Sequence, residues 1–414
     1  MTAQTIPLLQ PFSGAFHRDP YATYRRLRET APIYGAEILG RRFWVLTRYA
    51  DVTAALRDPR LSSQVVSGSL LPRAVVEGNL LFADPPQHTR LRKLVSHAFL
   101  PQTVEGLGDR VQAIIDRQID RALQIEAQQG HIDALRDLAV PISLQTVLFI
   151  LGLPVSDVPR LRAWSEALSG LLDIARILPG LAAAHQATHE VVAYLHSALQ
   201  ERRTQPGGDA EKPRDLLCAL LRTQTATATR DEPPLADHEL VATVLFTLMA
   251  GHETVTSLVG SGLWLLAQHP DEWARLRRDP SLVESAVEEM LRYEPPAQLT
   301  TKTALCDLPI AGQSIKKGQP VVAVLAAANR DPEVFADPER FDIARGDTRH
   351  LSFGHGPHFC VGAALARLQL QRLFQTLLVR LPGLQIDSEQ AVRQPGIVLR
   401  GLSSLPLRSG LARL

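Results

Sequence analysis

FGHGPHFCVG, residues 353–362, places a cysteine, Cys360, behind two glycines and a histidine and ahead of a third glycine and the run AALARLQL. A thiolate that binds iron needs backbone N–H groups aimed at its sulfur. Gly354, Gly356 and Gly362 permit the tight turn and close approach that side chains would block. The AALARLQL run is strongly helix-forming, so the sulfur is expected at a helix start, where the dipole favours an anion. A lone cysteine is ordinarily a small buried hydrophobe; these neighbours argue instead for a metal ligand.

Working outward from this segment, the chain of 414 residues is 45% hydrophobic and 21% charged, enough to bury a large core and without a disordered signature. A net charge of +1 gives no global attraction to nucleic acid or to an anionic membrane, so any electrostatic partner site must be a local patch. Cys218, Cys306 and Cys360 are too few and too scattered for a disulfide framework, which suits a reducing cytoplasm. The amino terminus has no secretory pattern, and no run reaches the ~18 apolar residues of a membrane span. Both secretion and membrane anchoring are therefore not expected.

Helical patterns dominate, beginning with DPYATYRRLRET, where Tyr21, Tyr24 and Leu27 share one face. RRFWVLTRY at 41–49 and the start of VVAVLAAANRDP at 321–332 read as strands, while 204–214 and 223–234 read as exposed loops. From Asp237, an expected N-cap, to Gln268 runs a segment that would span ~48 Å as a helix. Its middle, LVATVLFTLMAGHETVTSLVG, is apolar nearly all round and marks a core helix. Yet it carries Glu253 and Thr254 into that core, and Gly251 costs a helix interior ~1 kcal/mol relative to alanine. Ala250 and Gly251 would let a flat ligand or dioxygen approach the backbone, with Thr254 bonding a carbonyl or water. Close packing against a neighbouring helix through Ala-Gly accounts for the same residues.

AVEEMLRYEPP places Glu289 and Arg292 three apart on a helix face, and Arg340 follows in DPERF; alone, such a pair is usually solvated decoration. In DPPQHTRLRKLVSHAF, His88 and Arg92 fall at i and i+4, suited to a pair of carboxylates or simply to a basic surface helix. Thr89, Lys93 and His97, with Arg345, Arg349 and His350, form either a basic docking patch for an acidic redox protein or ordinary solvated charge.

In order, HTRLR, AGHET, EMLR, DPERF and FGHGPHFCVG resemble the signature set of the cytochrome P-450 superfamily, in its soluble bacterial form that tailors secondary metabolites. The resemblance implies a mainly α fold over residues 1–414: a single, roughly triangular helical domain with a minor β-rich part. Haem b (iron protoporphyrin IX) would lie between the long central helix and the cysteine-loop helix. Cys360 would be the thiolate on iron, with Phe353 packed near it. His88, Arg92 and His358 would hold the propionates, and Lys302 stands where an arginine is usual, keeping the charge without the fork. Glu289, Arg292 and Arg340 would form a buried ion-pair triad. Ala250 and Gly251 would line the oxygen site, Glu253 would relay protons and Thr254 would steady reduced oxygen until its O–O bond breaks.

The implied reaction inserts one atom of O₂ into a hydrophobic small molecule, with electrons from a ferredoxin and its NAD(P)H-dependent reductase, in a cytoplasmic monomer. Substrate contacts are expected from residues 65–81, from Phe246 and Met249, from Ala297, Gln298 and Leu299, and from Ile397 and Val398. A peroxide-using peroxygenase and a non-catalytic haem-fold module are the alternatives. The former typically lacks the acid-alcohol pair, and the latter would lose the cysteine loop or the propionate donors.

Overall fold

A computed structural model describes residues 9–38, 40–64, 71–204, 215–225 and 234–411. The expected loops at 204–214 and 223–234, and the first part of the expected substrate loop at 65–81, lie largely outside them. The helix Asp237–Gln268 has the expected bounds, though Ala236 is its N-cap. Asp237, one residue inside, accepts instead from Arg203 Nη2 at 2.6 Å.

This helix packs against Val140–Leu151, the preceding π-helical stretch Ala134–Ala139, Val158–Ser169, Ile174–Thr204, Val283–Tyr293 and Ala363–Arg380. Being surrounded explains its all-round apolar sequence. Two helical segments, Ala134–Leu151 and Asp237–Gln268, are in fact apolar and long enough to span a membrane by length and composition, contrary to the sequence expectation. Their most apolar windows are 83% and 72% buried inside the protein, so core packing accounts for that composition.

In the middle of the central helix Phe246, Thr247, Ala250, Gly251 and Thr254 are only half-buried, while the residues between them are buried. The spacing i, i+1, i+4, i+5, i+8 puts them on one face, which therefore borders open space within the core. Met249 and Leu248, off that face, join Leu91, Val95, Leu245 and Leu365 in one apolar cluster, against which Val361 and Ala364 of the cysteine segment pack.

The amino-terminal helix Pro20–Thr30 buries Tyr21, Tyr24 and Leu27, as its pattern requires. The principal sheet runs in the order Ile33–Ile38, Arg41–Leu46, Pro320–Ala323, Thr300–Ala304, Leu61–Ser62. Only the contact between the second and third of these strands is parallel. Register pairs Lys302 with Val321, so the lysine projects from a central strand and is buried with its ammonium.

Candidate active site

The cysteine segment folds as its glycines dictate. Gly354 and Gly356 have φ of +72° and +71°, and a Cβ at Gly356 would come within 3.0 Å of Leu56 O. The Cys360 N–H donates to Phe353 O at 2.8 Å, closing the turn, and helix Ala363–Arg380 begins just beyond Gly362. Cys360 is exposed, yet burial dominates its ionisation and pushes its thiol up, against the opposing pull of the Gly362 N–H, Arg92 and Arg367. The cysteine side chain is thus reachable although protein groups crowd around it. At Gly362 a Cβ would meet nothing within 4 Å, so open space lies beside the sulfur.

Around this segment stand four basic side chains. His88 and His358 rings lie 4.1 Å apart, and Arg92 Nη1 donates to Phe359 O at 2.5 Å. Lys302 Nζ donates to Ser63 Oγ, which lies 2.9 Å from His358 Nε2. The serine hydroxyl can donate to that nitrogen or accept from it, so the contact itself suits either tautomer of His358. Burial, then Lys302 and His88, lower its pKa to about 3. Burial likewise lowers the pKa of His88, Arg92 and Lys302, and His88 Nε2 is buried with no partner among the described residues. Asp84 is the acidic group that opposes these shifts in His88, Lys302 and His358, and it already accepts from Ser62 Oγ and Ser63 N. Arg92 and Lys302, cations short of counter-charge, beside two imidazoles of which one has an orphaned nitrogen, fit a flat group bearing carboxylates.

Beneath the loop lie two charged clusters. Glu289 takes Arg292 on both oxygens, at 2.7 and 2.8 Å, and Arg292 is fully buried. The second arginine on Glu289 is Arg345, whose Nε lies 3.2 Å from both carboxylate oxygens. The expected Arg340 does not take that place: it is exposed, and only its carbonyl takes part, accepting from Arg292 and Arg345. Five residues further on, after the turn, Arg345 points back inward. The second cluster is Glu288, held bidentately by Arg367 at 2.7 Å and contacted by His350 Nε2 at 3.1 Å. Arg367 also lies 4.6 Å over the ring of Phe353.

The expected basic patch is thereby reduced. Arg345 and His350 are turned inward onto Glu289 and Glu288, and Arg349, though exposed, pairs with Asp347 at 2.8 Å. Burial alone would raise the Glu288 pKa, but Arg367 and His350 bring it down to about 2 from 4.5. A depressed carboxylate pKa contributes stability that is full above the ordinary value and is lost as pH falls toward 2. Glu288→Gln is expected to flatten the acid limb of stability, removing a loss of about 2 kcal/mol between pH 6 and 3, read in thermal melts over that range.

On the central helix, Thr254 Oγ1 donates to Ala250 O at 2.8 Å, the carbonyl bond anticipated for it. Glu253, at 9% exposure, is paired with Arg176 Nη1 at 2.8 Å, which offsets its burial. A Cβ at Gly251 would fall 2.7 Å from Val147 Cγ2, so its absence lets two helices meet there. His252 was not singled out by its sequence context; its Nδ1 lies 2.9 Å from Ser165 Oγ, and burial, then Arg162, lower its pKa to about 4, leaving it neutral.

Ala297 bridges Leu399, and Gln298 N donates to Val398 O at 2.9 Å, so two expected pocket segments lie side by side. Gln298 itself is buried and donates to Pro295 O at 2.7 Å, a bracing role, while Leu299, Val398 and Phe246 are half-buried and Ile397 is buried. Arg176, Ser63 and Arg367 went unrecognised, and Arg345 was read only as part of the basic patch; none of them carried a local spacing signal.

The family profile described as Cytochrome P450 matches residues 4–395. The cytochrome P450 monooxygenase PikC of Streptomyces venezuelae is 39% identical, over 95% of this chain and 92% of its own. The 6-deoxyerythronolide B hydroxylase of Saccharopolyspora erythraea is 37% identical, over 98% and 99%. Among solved structures, the Bacillus subtilis 168 bacillaene polyketide synthase cytochrome P450 PksS superposes with a TM-score of 0.86 at 32% identity, covering 97% of this chain and 100% of its own. Five ordered motifs, a mainly α fold and a cysteine flanked by basic side chains agree with these likenesses: the chain belongs to the cytochrome P450 family of haem monooxygenases.

Proposed function

We propose that this single haem domain inserts one atom of O₂ into a hydrophobic secondary metabolite, of polyketide, terpenoid or similar class, in the cytoplasm. The observation that carries the reading is the reachable Cys360 beside the basic set His88, Arg92, Lys302 and His358. The names of 6-deoxyerythronolide B hydroxylase and of the bacillaene polyketide synthase cytochrome P450 PksS support the substrate class. On this reading the domain's electrons come from a ferredoxin and an NAD(P)H-dependent reductase.

Cys360 would hold the iron of haem b, and Arg92, His88, His358 and Lys302 its carboxylates. Bound there, haem supplies the redox chemistry that activates O₂, with the thiolate's electron donation favouring O–O cleavage. The chain's own residues govern protons and access. The Thr254 hydroxyl commits its proton to Ala250 O, leaving its lone pairs to accept a hydrogen bond from a ligand in the void. Glu253, paired with Arg176 on the adjacent position, serves as the relay from solvent. The presence of this acid-alcohol pair favours O₂ over peroxide as oxidant.

The reading is checked on purified protein reduced with dithionite under carbon monoxide. The expected spectrum has the strongly red-shifted Soret band of thiolate ligation, and Cys360→His is expected to move it to the ordinary histidine position. A histidine-type spectrum from active wild-type protein sinks the assignment. Substrate class is then read from the low-to-high-spin shift produced by panels of polyketide lactones and terpenoids.

A further inference from the structure

Asp173 stands in the turn between the short 3-10 helix Gly170–Leu172 and the helix Ile174–Thr204, and its residue is fully buried. Its Oδ2 accepts three consecutive backbone N–H groups: Ile397 at 2.7 Å, Val398 at 2.8 Å and Leu399 at 3.0 Å. Three neighbouring amides converge on one oxygen only where the backbone curls into a concave nest. The curl depends on Gly396, where a Cβ would lie 2.1 Å from Leu399 O and 3.0 Å from Asp173 Oδ2. A carboxylate taken wholly out of water costs several kcal/mol unless hydrogen bonds satisfy it, and charge-assisted bonds to three amides do so.

The same carboxy-terminal loop is fastened on its other side. Gln298 N donates to Val398 O, Arg400 N donates to Pro296 O at 2.8 Å, and the Arg400 guanidinium reaches Glu294 Oε1 at 2.7 Å. Gly401 lies against the central helix, where its Cβ would fall 2.5 Å from Ser257 Oγ, one turn beyond Thr254. Those anchors come from the 294–298 turn and the central helix. Asp173 comes from a different wall, the segment that leads into Ile174–Thr204 and carries Arg176 to Glu253. We propose that Asp173 is a positioning residue: by gripping the amides of Ile397, Val398 and Leu399 it fixes where that stretch of pocket wall stands, and with it the size of molecule the pocket admits. This rests on the reading of residues 397–398 as substrate contacts above a haem.

Hydrogen exchange on the haem-loaded protein tests the grip without any substrate. In wild type the amides of residues 397–399 are expected among the slowly exchanging ones. They should exchange about tenfold or more faster in Asp173→Ala and at an intermediate rate in Asp173→Asn, which keeps one neutral acceptor. Fast exchange in wild type, or equal rates in wild type and Asp173→Asn, overturns the proposal. Pocket size is read with imidazole and 4-phenylimidazole titrated against the Soret band. The ratio of the two affinities should shift about tenfold in Asp173→Asn, while imidazole alone binds as in wild type. An unchanged ratio overturns the selectivity role even if exchange rises. The carbon monoxide spectrum separates a different failure: loss of the red-shifted band in wild type removes the haem reading, whereas its retention with unaltered exchange removes only the role of Asp173.

Discussion

Glu289→Ala is expected to destabilise the haem-loaded protein by about 3–5 kcal/mol, read as a fall in the urea unfolding midpoint. The size follows from what the carboxylate holds. Arg292 is fully buried and Arg345 half-buried, and both point their guanidinium groups at the same two oxygens. The Asp342 N–H also donates to Oε1 at 2.9 Å. Removing the acid strands two cations and an amide in a medium that cannot solvate them. Arg292 still has carbonyl acceptors at Asn329, Pro338 and Arg340, and Arg345 has Ala336, Asp337 and Arg340, but carbonyl oxygens do not neutralise a charge. The loss is a large fraction of the 5–15 kcal/mol that typically separates folded from unfolded. Arg340→Ala is the matched control. Its exposed side chain touches neither cluster and its carbonyl survives the substitution, so its midpoint should change by less than about 0.5 kcal/mol. A large effect at Arg340 and a small one at Glu289 would reverse the structural assignment.

The contrast between Arg340 and Arg345 marks where sequence reading reaches its limit. Spacing along one helix is a fixed geometric relation, so Glu289 and Arg292, three apart, were legible as partners. The third member sits on irregular backbone, where no periodicity says which side chain turns in, and the nearer arginine was the wrong one. Gly251 illustrates a related ambiguity. A glycine in a buried helix signals close approach but not of what, and here the approaching group is the Val147 side chain. The cysteine turn was legible because Gly354 and Gly356 have left-handed backbone, a constraint written into residue identity. The basic donors His88 and Arg92 were legible from their helix, whereas Ser63, linking Lys302 to His358, comes from a distant strand end and leaves no local trace. The same holds for Arg176, which meets Glu253 only because the helix Ile174–Thr204 folds across the central one.

Thr254→Ala should leave haem content and the carbon monoxide band intact while most reducing equivalents are diverted from product to hydrogen peroxide. Alanine is the better helix former, and the lost side-chain bond to Ala250 O leaves a carbonyl that retains its place in the helix, so folding gives no reason for loss of cofactor. What disappears is the hydroxyl oxygen on the half-buried face of the central helix, where a proton must be placed on one oxygen atom of O₂ and not the other. With that acceptor gone, two electrons and two protons taken up by O₂ leave as peroxide, and the bond between the oxygens is never broken. General acid–base groups contribute about 10²–10⁴ in rate, so product per NAD(P)H should fall at least tenfold while NAD(P)H consumption continues. The measurement is peroxide and product formed per NAD(P)H oxidised, with a surrogate ferredoxin pair and a compound that gives a high-spin shift. Thr254→Ser, which restores an oxygen at the same position, should recover most of the coupling. If alanine and threonine couple equally well, the proton placement does not run through this hydroxyl, and Glu253 with its Arg176 clamp becomes the group that must act directly on the void.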